Sequence, residues 1–220
     1  MQLWSTWWQM LWLLRPGFSR LRTFLWFATA VAGFTVRTDL LGVTRIVRAL
    51  KLDERVYTVL LEHFHSPGVK LARLSALWAQ IVLRLFPGVL RVNGHLVRVG
   101  DGIKTPKRGR KMPAVKLLHQ QSDSKPTYIM GHSLQAVSVL VQAAGSVFAV
   151  PLTMRIHEGL IWSNRDKRTL LDKMLSLLTT LAVTQPYYFL ADAYYAAGKM
   201  VNTLLRQGIR MARRRKGGAQ

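Results

Sequence analysis

The start of the chain consists of two long apolar runs separated by a short arginine-rich break. Residues 1–14 and 23–36 contain no charged side chain, and the first run holds four of the seven tryptophans. Each run is shorter than the roughly 20 residues that a helix needs to cross a bilayer. We therefore expect helices that are buried or covered by a partner, and membrane insertion is the less favoured interpretation.

After the second apolar run, apolar side chains recur every three or four positions, which predicts amphipathic helices. Segments 42–50 and 54–64 form two such helices joined by a tight turn, with Asp53 as an N-cap. This is the outline of a helix-turn-helix, in which Arg45 and Arg48 would be available to DNA phosphates. An ordinary helical bundle with polar outer faces fits the same pattern.

The pattern changes after Pro87–Gly88, and we place the domain boundary there, between a helical region 1–88 and a second domain 89–220. Residues 89–99 alternate in polarity and predict a hairpin that turns at Asn93–Gly94. The segments that follow predict, in order, strands at 127–142 and 146–156, a helix at 166–183, a strand at 186–192 and a helix at 195–208. The expected fold class is α/β (α+β): a helical N-terminal region followed by a mixed sheet with flanking helices.

The charge of the chain points to a polyanionic partner. Its 220 residues include 32 Lys and Arg against 10 Asp and Glu, a formal net charge of +22. Residues 1–90 carry 11 cations and 4 acids, whereas residues 91–220 carry 21 cations and 6 acids. Nucleic acid is the leading partner, and an anionic membrane surface is the second candidate. The absence of cysteine excludes disulfides and thiolate metal sites and is compatible with the reducing cytosol.

One aspartate, Asp101, lies between two glycines directly after the alternating run 95–99. A lone carboxylate at the end of a strand, facing a cationic loop, suits a metal ion that meets a polyanion. A hairpin tip that carries only solvated charge is the alternative. Six cations follow Asp101 with no acid among them: Lys104, Lys107, Arg108, Arg110, Lys111 and Lys116.

Five segments, taken in their order along the chain, are similar to those of a known protein family. The segments concerned are G-D-G-I-K-T-P-K-R-G-R-K-M-P (100–113), K-L-L-H-Q-Q-S (116–122), S-K-P-T-Y-I-M-G-H (124–132), R-I-H-E-G (155–159) and Y-F-L-A-D-A-Y-Y (188–195). Together they resemble insertion-sequence transposases of the DDE type, over roughly residues 96–208. The resemblance implies an RNase H-like catalytic domain that cleaves and transfers DNA strands at transposon ends. It also implies that Asp101 and Asp192 are catalytic and bind Mg²⁺ or Mn²⁺.

The sequence departs from that family after Asp192. The DDE arrangement takes a third acid from a later helix, but no Asp or Glu follows Asp192 here, and segment 208–220 does not resemble a core strand. Glu158 and Asp172 are candidate substitutes. We expect a truncated or incomplete copy, with half a metal site and little strand-transfer activity, that retains DNA binding.

Two further functions stay open as alternatives: a non-enzymatic DNA-binding module and a basic membrane-associated protein. We expect no small-molecule substrate, and a cytoplasmic, nucleoid-associated location follows from the DNA partner. A homo-oligomer is compatible with the tryptophan-rich start.

The segment Y-I-M-G-H-S-L-Q (128–135) imitates the nucleophile elbow of α/β-hydrolases, with Ser133 as the nucleophile. Gln135 stands where the sharp turn of that motif requires glycine. The hydrolase order of Ser, acid and His also fails, since no acid lies between Ser133 and His157, the last histidine. The sequence therefore argues against a serine hydrolase.

Overall fold

A computed structural model describes residues 2–37, 39, 42–107, 112, 114–119, 124, 126–156 and 168–213. The chain forms two compact units, Met1–Ile81 and Val82–Gln220. The functional division predicted at Pro87–Gly88 stays a prediction. The helices of the first part are α1 (Gln2–Leu13), α2 (Leu21–Val36), α3 (Val43–Ala49), α4 (Val56–Phe64) and α5 (Leu71–Leu85), with a 3-10 helix at Arg15–Gly17.

The two apolar runs form α1 and α2, which pack through aromatic side chains. The ring of Phe24 is fully buried and lies 5.4 Å from the ring of Trp12 and 5.8 Å from that of Trp8. Among the described residues, no helix is both long enough and apolar enough to cross a bilayer. The buried residues of this core are Leu11, Leu14, Phe18, Phe24, Ala28 and Ile81.

The predicted helix pair is present as α3 and α4, held by a small core of Ile46, Val47 and Leu60. The Asp53 carboxylate accepts the backbone N–H of Arg55 at 2.8 Å. It therefore orders the turn before α4, which begins three residues later at Val56. The N-cap position predicted for Asp53 is held by Arg55.

The second unit is built on a mixed sheet. Its strands are β1 (Arg91–Val92), β2 (His95–Pro106), β3 (Lys116–His119), β4 (Tyr128–Ala143), β5 (Ser146–Ile156), β6 (Tyr187–Ala191) and β7 (Arg210–Arg213), and its helices are α6 (Leu170–Thr180) and α7 (Gly198–Arg206). β4 is antiparallel to both β2 and β5, whereas β6 is parallel to β2 and β7 is parallel to β6. This mixed α/β fold, which the sequence predicts, is compatible with a partial RNase H-like architecture.

The hairpins follow the turn residues in the sequence. Asn93 and Gly94 both have positive φ, 49° and 77°, as a two-residue type I′ turn requires. Ala144 and Gly145, at 49° and 75°, turn β4 into β5 in the same way. The predicted hairpin at Asn93–Gly94 is therefore confirmed, and the predicted strands 127–142 and 146–156 pair as a second hairpin.

Some predicted boundaries are wrong. β2 does not end near Asp101 but continues to Pro106, because β4 stays paired with it as far as Gly131. The helix expected from residue 195 begins at Gly198.

The argument against a nucleophile elbow agrees with the fold. Ser133 lies inside the continuous strand β4, which has no sharp turn at that position.

The arginine-rich end was predicted not to form a core strand, but Arg210–Arg213 is β7 and pairs with β6. β7 is the last strand on its side of the sheet. Charged side chains are common on such edge strands, because one side of an edge strand faces water. A cationic sequence can therefore extend the sheet there.

One face of the sheet packs against α6 and α7. A Cβ at Gly100 would clash with Cζ of Phe189 and lie 2.6 Å from its Cε2, and it would lie 3.2 Å from Cε of Met174 in α6. Glycine at this position lets the fully buried Phe189 ring cover the strand. The buried side chains of the two helices are Met174, Leu177, Leu178, Met200 and Leu204.

An arginine is buried in the same face. Arg98 is 1% exposed, and its guanidinium carbon lies 3.7 Å from the ring centroid of Tyr187. Burial lowers the pKa of Arg98, and the neighbouring Tyr187 raises it. The aromatic face replaces part of the water that the cation loses, so this stack ties β2 to β6.

We predict that Gly100→Ala destabilises the second unit by roughly 1–3 kcal/mol, the usual cost of overpacking a buried position. Urea denaturation followed by circular dichroism measures the change. Gly198→Ala is the matched control, because a Cβ there meets nothing within 4 Å and alanine favours a helix. Equal stability of the two variants would contradict the packing described for Phe189.

A second prediction concerns pH. The Asp172 carboxylate lies 2.6 Å from Lys199 Nζ and forms a capping box with Thr169. Hydrogen bonds from Lys199 and Thr169 lower the pKa of Asp172 from 3.8 to about 2. The stability contributed by this carboxylate is therefore complete above pH 4 and lost as the pH falls through about 2.

The measurement is the difference in thermal midpoint between the native chain and Asp172→Asn as a function of pH. We expect a difference at pH 6 that shrinks between about pH 4 and pH 2. Lys199→Met removes the ion pair without touching the capping box and should show a weaker pH dependence. A difference in thermal midpoint that stays constant over this pH range would show that ionisation of Asp172 does not stabilise the fold.

Candidate functional site

The parallel pairing of β2 with β6 brings the two predicted catalytic aspartates together. The last paired residues are Gly100 and Ala191, and the next residue on each chain is Asp101 and Asp192. Neighbouring strands lie about 4.8 Å apart, and residues in register point to the same face. The two acids therefore stand side by side where the parallel ladder ends, and both are exposed.

Each aspartate uses one oxygen to order its own backbone. Asp101 Oδ1 accepts the N–H of Gly102 at 2.7 Å, and Asp192 Oδ1 accepts the N–H of Tyr194 at 2.9 Å, which caps the 3-10 helix Ala193–Tyr195. Within the described part of the chain, neither Oδ2 accepts a hydrogen bond or pairs with a cation. Among the described residues, each carboxylate thus has one oxygen without a protein partner.

These donors fit a hard divalent cation. Mg²⁺ prefers oxygen ligands and is commonly held by one or two carboxylates together with waters and substrate oxygens. No group of three or more His, Cys, Asp or Glu side chains suited to a metal occurs among the described residues. Asp172, a candidate third acid, is held by Lys199 and Thr169. Glu158, the other candidate, lies outside the described residues.

The sequence did not single out the side chains that lie beside the acids. Tyr195 is buried, and its hydroxyl accepts a hydrogen bond from Gln135 Nε2 at 3.0 Å. Burial raises the pKa of Tyr195, the Gln135 hydrogen bond lowers it, and the charges of Asp101 and Asp192 raise it again. The only signal in the sequence is that Tyr195 follows Asp192 by three residues.

The predicted cationic loop is partly strand. Lys104 lies in β2, and its Nζ donates to the His119 carbonyl at 2.6 Å, whereas Lys107 follows the strand and is exposed. Lys116 lies in β3, where burial and then the charge of Lys173 lower its pKa. Three predicted DNA contacts lie outside the described residues: Arg108, Arg110 and Lys111.

The helix pair presents a separate cationic surface. Arg45 and Arg48 are exposed on α3, but α4 contains no Lys or Arg. In a helix-turn-helix the second helix enters the major groove, so α4 offers no cation for that role. A cavity of about 340 Å³ opens beside Arg48 and is lined by Thr44, Val47, Arg48, Glu54 and Tyr57.

Comparison with known proteins found no matching family model and no matching curated protein. Among solved structures, 89% of this chain aligns with a piggyBac transposase in a synaptic complex with hairpin DNA, at 11% identity and a TM-score of 0.42. The aligned region covers 44% of that protein's chain, so this chain spans less than half of its length. No function follows for this chain from a likeness this weak.

Proposed function

We propose that this protein is a transposase of the DDE insertion-sequence type, or derives from one, and acts on DNA with Mg²⁺ or Mn²⁺ held by Asp101 and Asp192. The observation that carries the proposal is the side-by-side position of these two acids at the end of the β2–β6 ladder. Each has one uncommitted carboxylate oxygen, and together these fit the oxygen preference of the cation.

The acid pair suits phosphodiester chemistry. A divalent ion activates the attacking oxygen and stabilises the leaving oxygen of an in-line displacement. The proposed role of Asp101 and Asp192 is to hold that ion where the β2–β6 ladder ends. Lys104 and Lys107, on the strand of Asp101 or directly after it, would attract the DNA backbone towards the pair.

Strand cleavage by the 220-residue chain alone should be weak. The DDE arrangement uses three acids, and the described residues contain no group of three or more side chains suited to a metal. We propose that the chain binds DNA and the cation, and that efficient strand transfer depends on a further carboxylate.

A non-enzymatic DNA-binding module is the second candidate. It is favoured by the exposed Arg45 and Arg48 and by the cavity beside Arg48. In that case DNA binding would depend on α3, and the acid pair would have no role.

We predict that Mn²⁺ raises the thermal midpoint of the native chain, because a ligand that binds only the folded state stabilises it. Asp101→Asn and Asp192→Asn should each weaken Mn²⁺ binding at least about tenfold, since even loss of an outer-shell partner costs this much. Isothermal titration calorimetry measures the dissociation constants.

Asp53→Asn is the control for the metal prediction, because it removes an exposed carboxylate from the first unit. It should bind Mn²⁺ as tightly as the native chain. If Asp101→Asn also bound Mn²⁺ with native affinity, the proposed metal site would be wrong.

We predict that affinity for duplex DNA falls steeply as salt rises, because each neutralised phosphate releases counterions. Lys107→Ala should lower the slope of log affinity against log salt by about one. Fluorescence anisotropy with a labelled duplex measures both quantities.

Variants on α3 and variants near the acid pair separate the two candidate functions. Loss of DNA affinity in Arg45→Ala/Arg48→Ala, with no effect of Lys107→Ala or Asp101→Asn, would favour the binding module. An affinity that is flat between low and moderate salt would contradict a phosphate-binding surface in either case.

A further inference from the structure

Tyr195 contacts the chain next to both aspartates. Its backbone N–H donates to the carbonyl of Asp192 at 3.2 Å. Its hydroxyl oxygen lies 3.4 Å from the position that a Cβ on Gly102 would occupy, directly after Asp101. A single side chain, 4% exposed, thus contacts β2 next to Asp101 and the chain that follows β6 at Asp192.

The third neighbouring strand holds this side chain in place. Gln135 of β4 is 3% exposed and pairs in register with Gly102. Its Nε2 donates to the Tyr195 hydroxyl at 3.0 Å and to the carbonyl of Leu170 at 2.9 Å. Tyr195 therefore links β4 to β2 at Gly102 and to the chain that follows β6.

The phenol oxygen lies on the face of the sheet opposite to the Asp101 side chain, because Asp101 and Gly102 are consecutive residues of β2. The hydroxyl accepts a hydrogen bond from Gln135 on that face. Its effect on the two aspartates therefore passes through the backbone of the strands.

We propose that Tyr195 is a positioning residue that sets the affinity of the Asp101–Asp192 pair for a divalent cation. It fixes the spacing between β2 at Gly102 and the chain that follows β6 at Asp192. This inference rests on the proposed metal-binding function of the two aspartates.

The test is the dissociation constant for Mn²⁺, measured by calorimetry on the full chain, in Tyr195→Phe. We expect binding about tenfold weaker than in the native chain, as for loss of an outer-shell hydrogen bond, with the metal-free thermal midpoint little changed. Gln135→Met, which removes the partner of the hydroxyl, should weaken binding in the same direction.

Tyr187→Phe is the matched control, because Tyr187 is a second buried tyrosine on the same sheet, at the opposite end of β6. It should bind Mn²⁺ with native affinity. Equal weakening by Tyr187→Phe and Tyr195→Phe would overturn a specific role for Tyr195. Native affinity in Tyr195→Phe, with a loss only in Tyr195→Leu, would reduce Tyr195 to packing and overturn it too.

The aspartate variant separates this inference from the proposed function. If Asp101→Asn loses Mn²⁺ and Tyr195→Phe binds normally, the acid pair is the metal site and the role of Tyr195 is refuted. If Asp101→Asn binds normally, the proposed function and this inference fail together.

Discussion

The parallel pairing of β2 with β6 is the constraint on which the site depends. A shift of one residue in this register would move one aspartate to the opposite face of the sheet, since side chains alternate along a strand. Two buried contacts oppose such a shift: the Arg98 guanidinium stacks on Tyr187, and Phe189 fills the space above Gly100. The core beneath the sheet thus sets the position of the carboxylates at its edge.

The net charge of the chain bears on which ligands it can bind. A formal charge of +22 opposes compaction unless an anionic partner neutralises it. Asp101 and Asp192 are two exposed acids within that excess. In the proposed function these acids would hold a divalent ion, and DNA would bind the surrounding cations.

Local sequence signals predicted the elements that depend on residues close together in the chain. Asn93–Gly94 predicted the β1–β2 hairpin because both residues tolerate positive φ, and the leucine spacing predicted α6. Long-range pairing overrode the local signal elsewhere. The arginines of β7 are typical of a solvated tail, but β7 pairs with β6. The glycines beside Asp101 are typical of a strand end, but β2 continues past them because it pairs with β4.

The sequence alone determined the cationic surplus, through composition, and the helical first part, through periodicity. The order of its motifs gave Asp101 and Asp192 as candidate ligands. Only the tertiary structure placed the two acids side by side and put Tyr195 and Gln135 next to them. These contacts join residues from β2, β4 and β6 that are far apart in the chain. Their meeting depends on strand order and register, which no local pattern encodes.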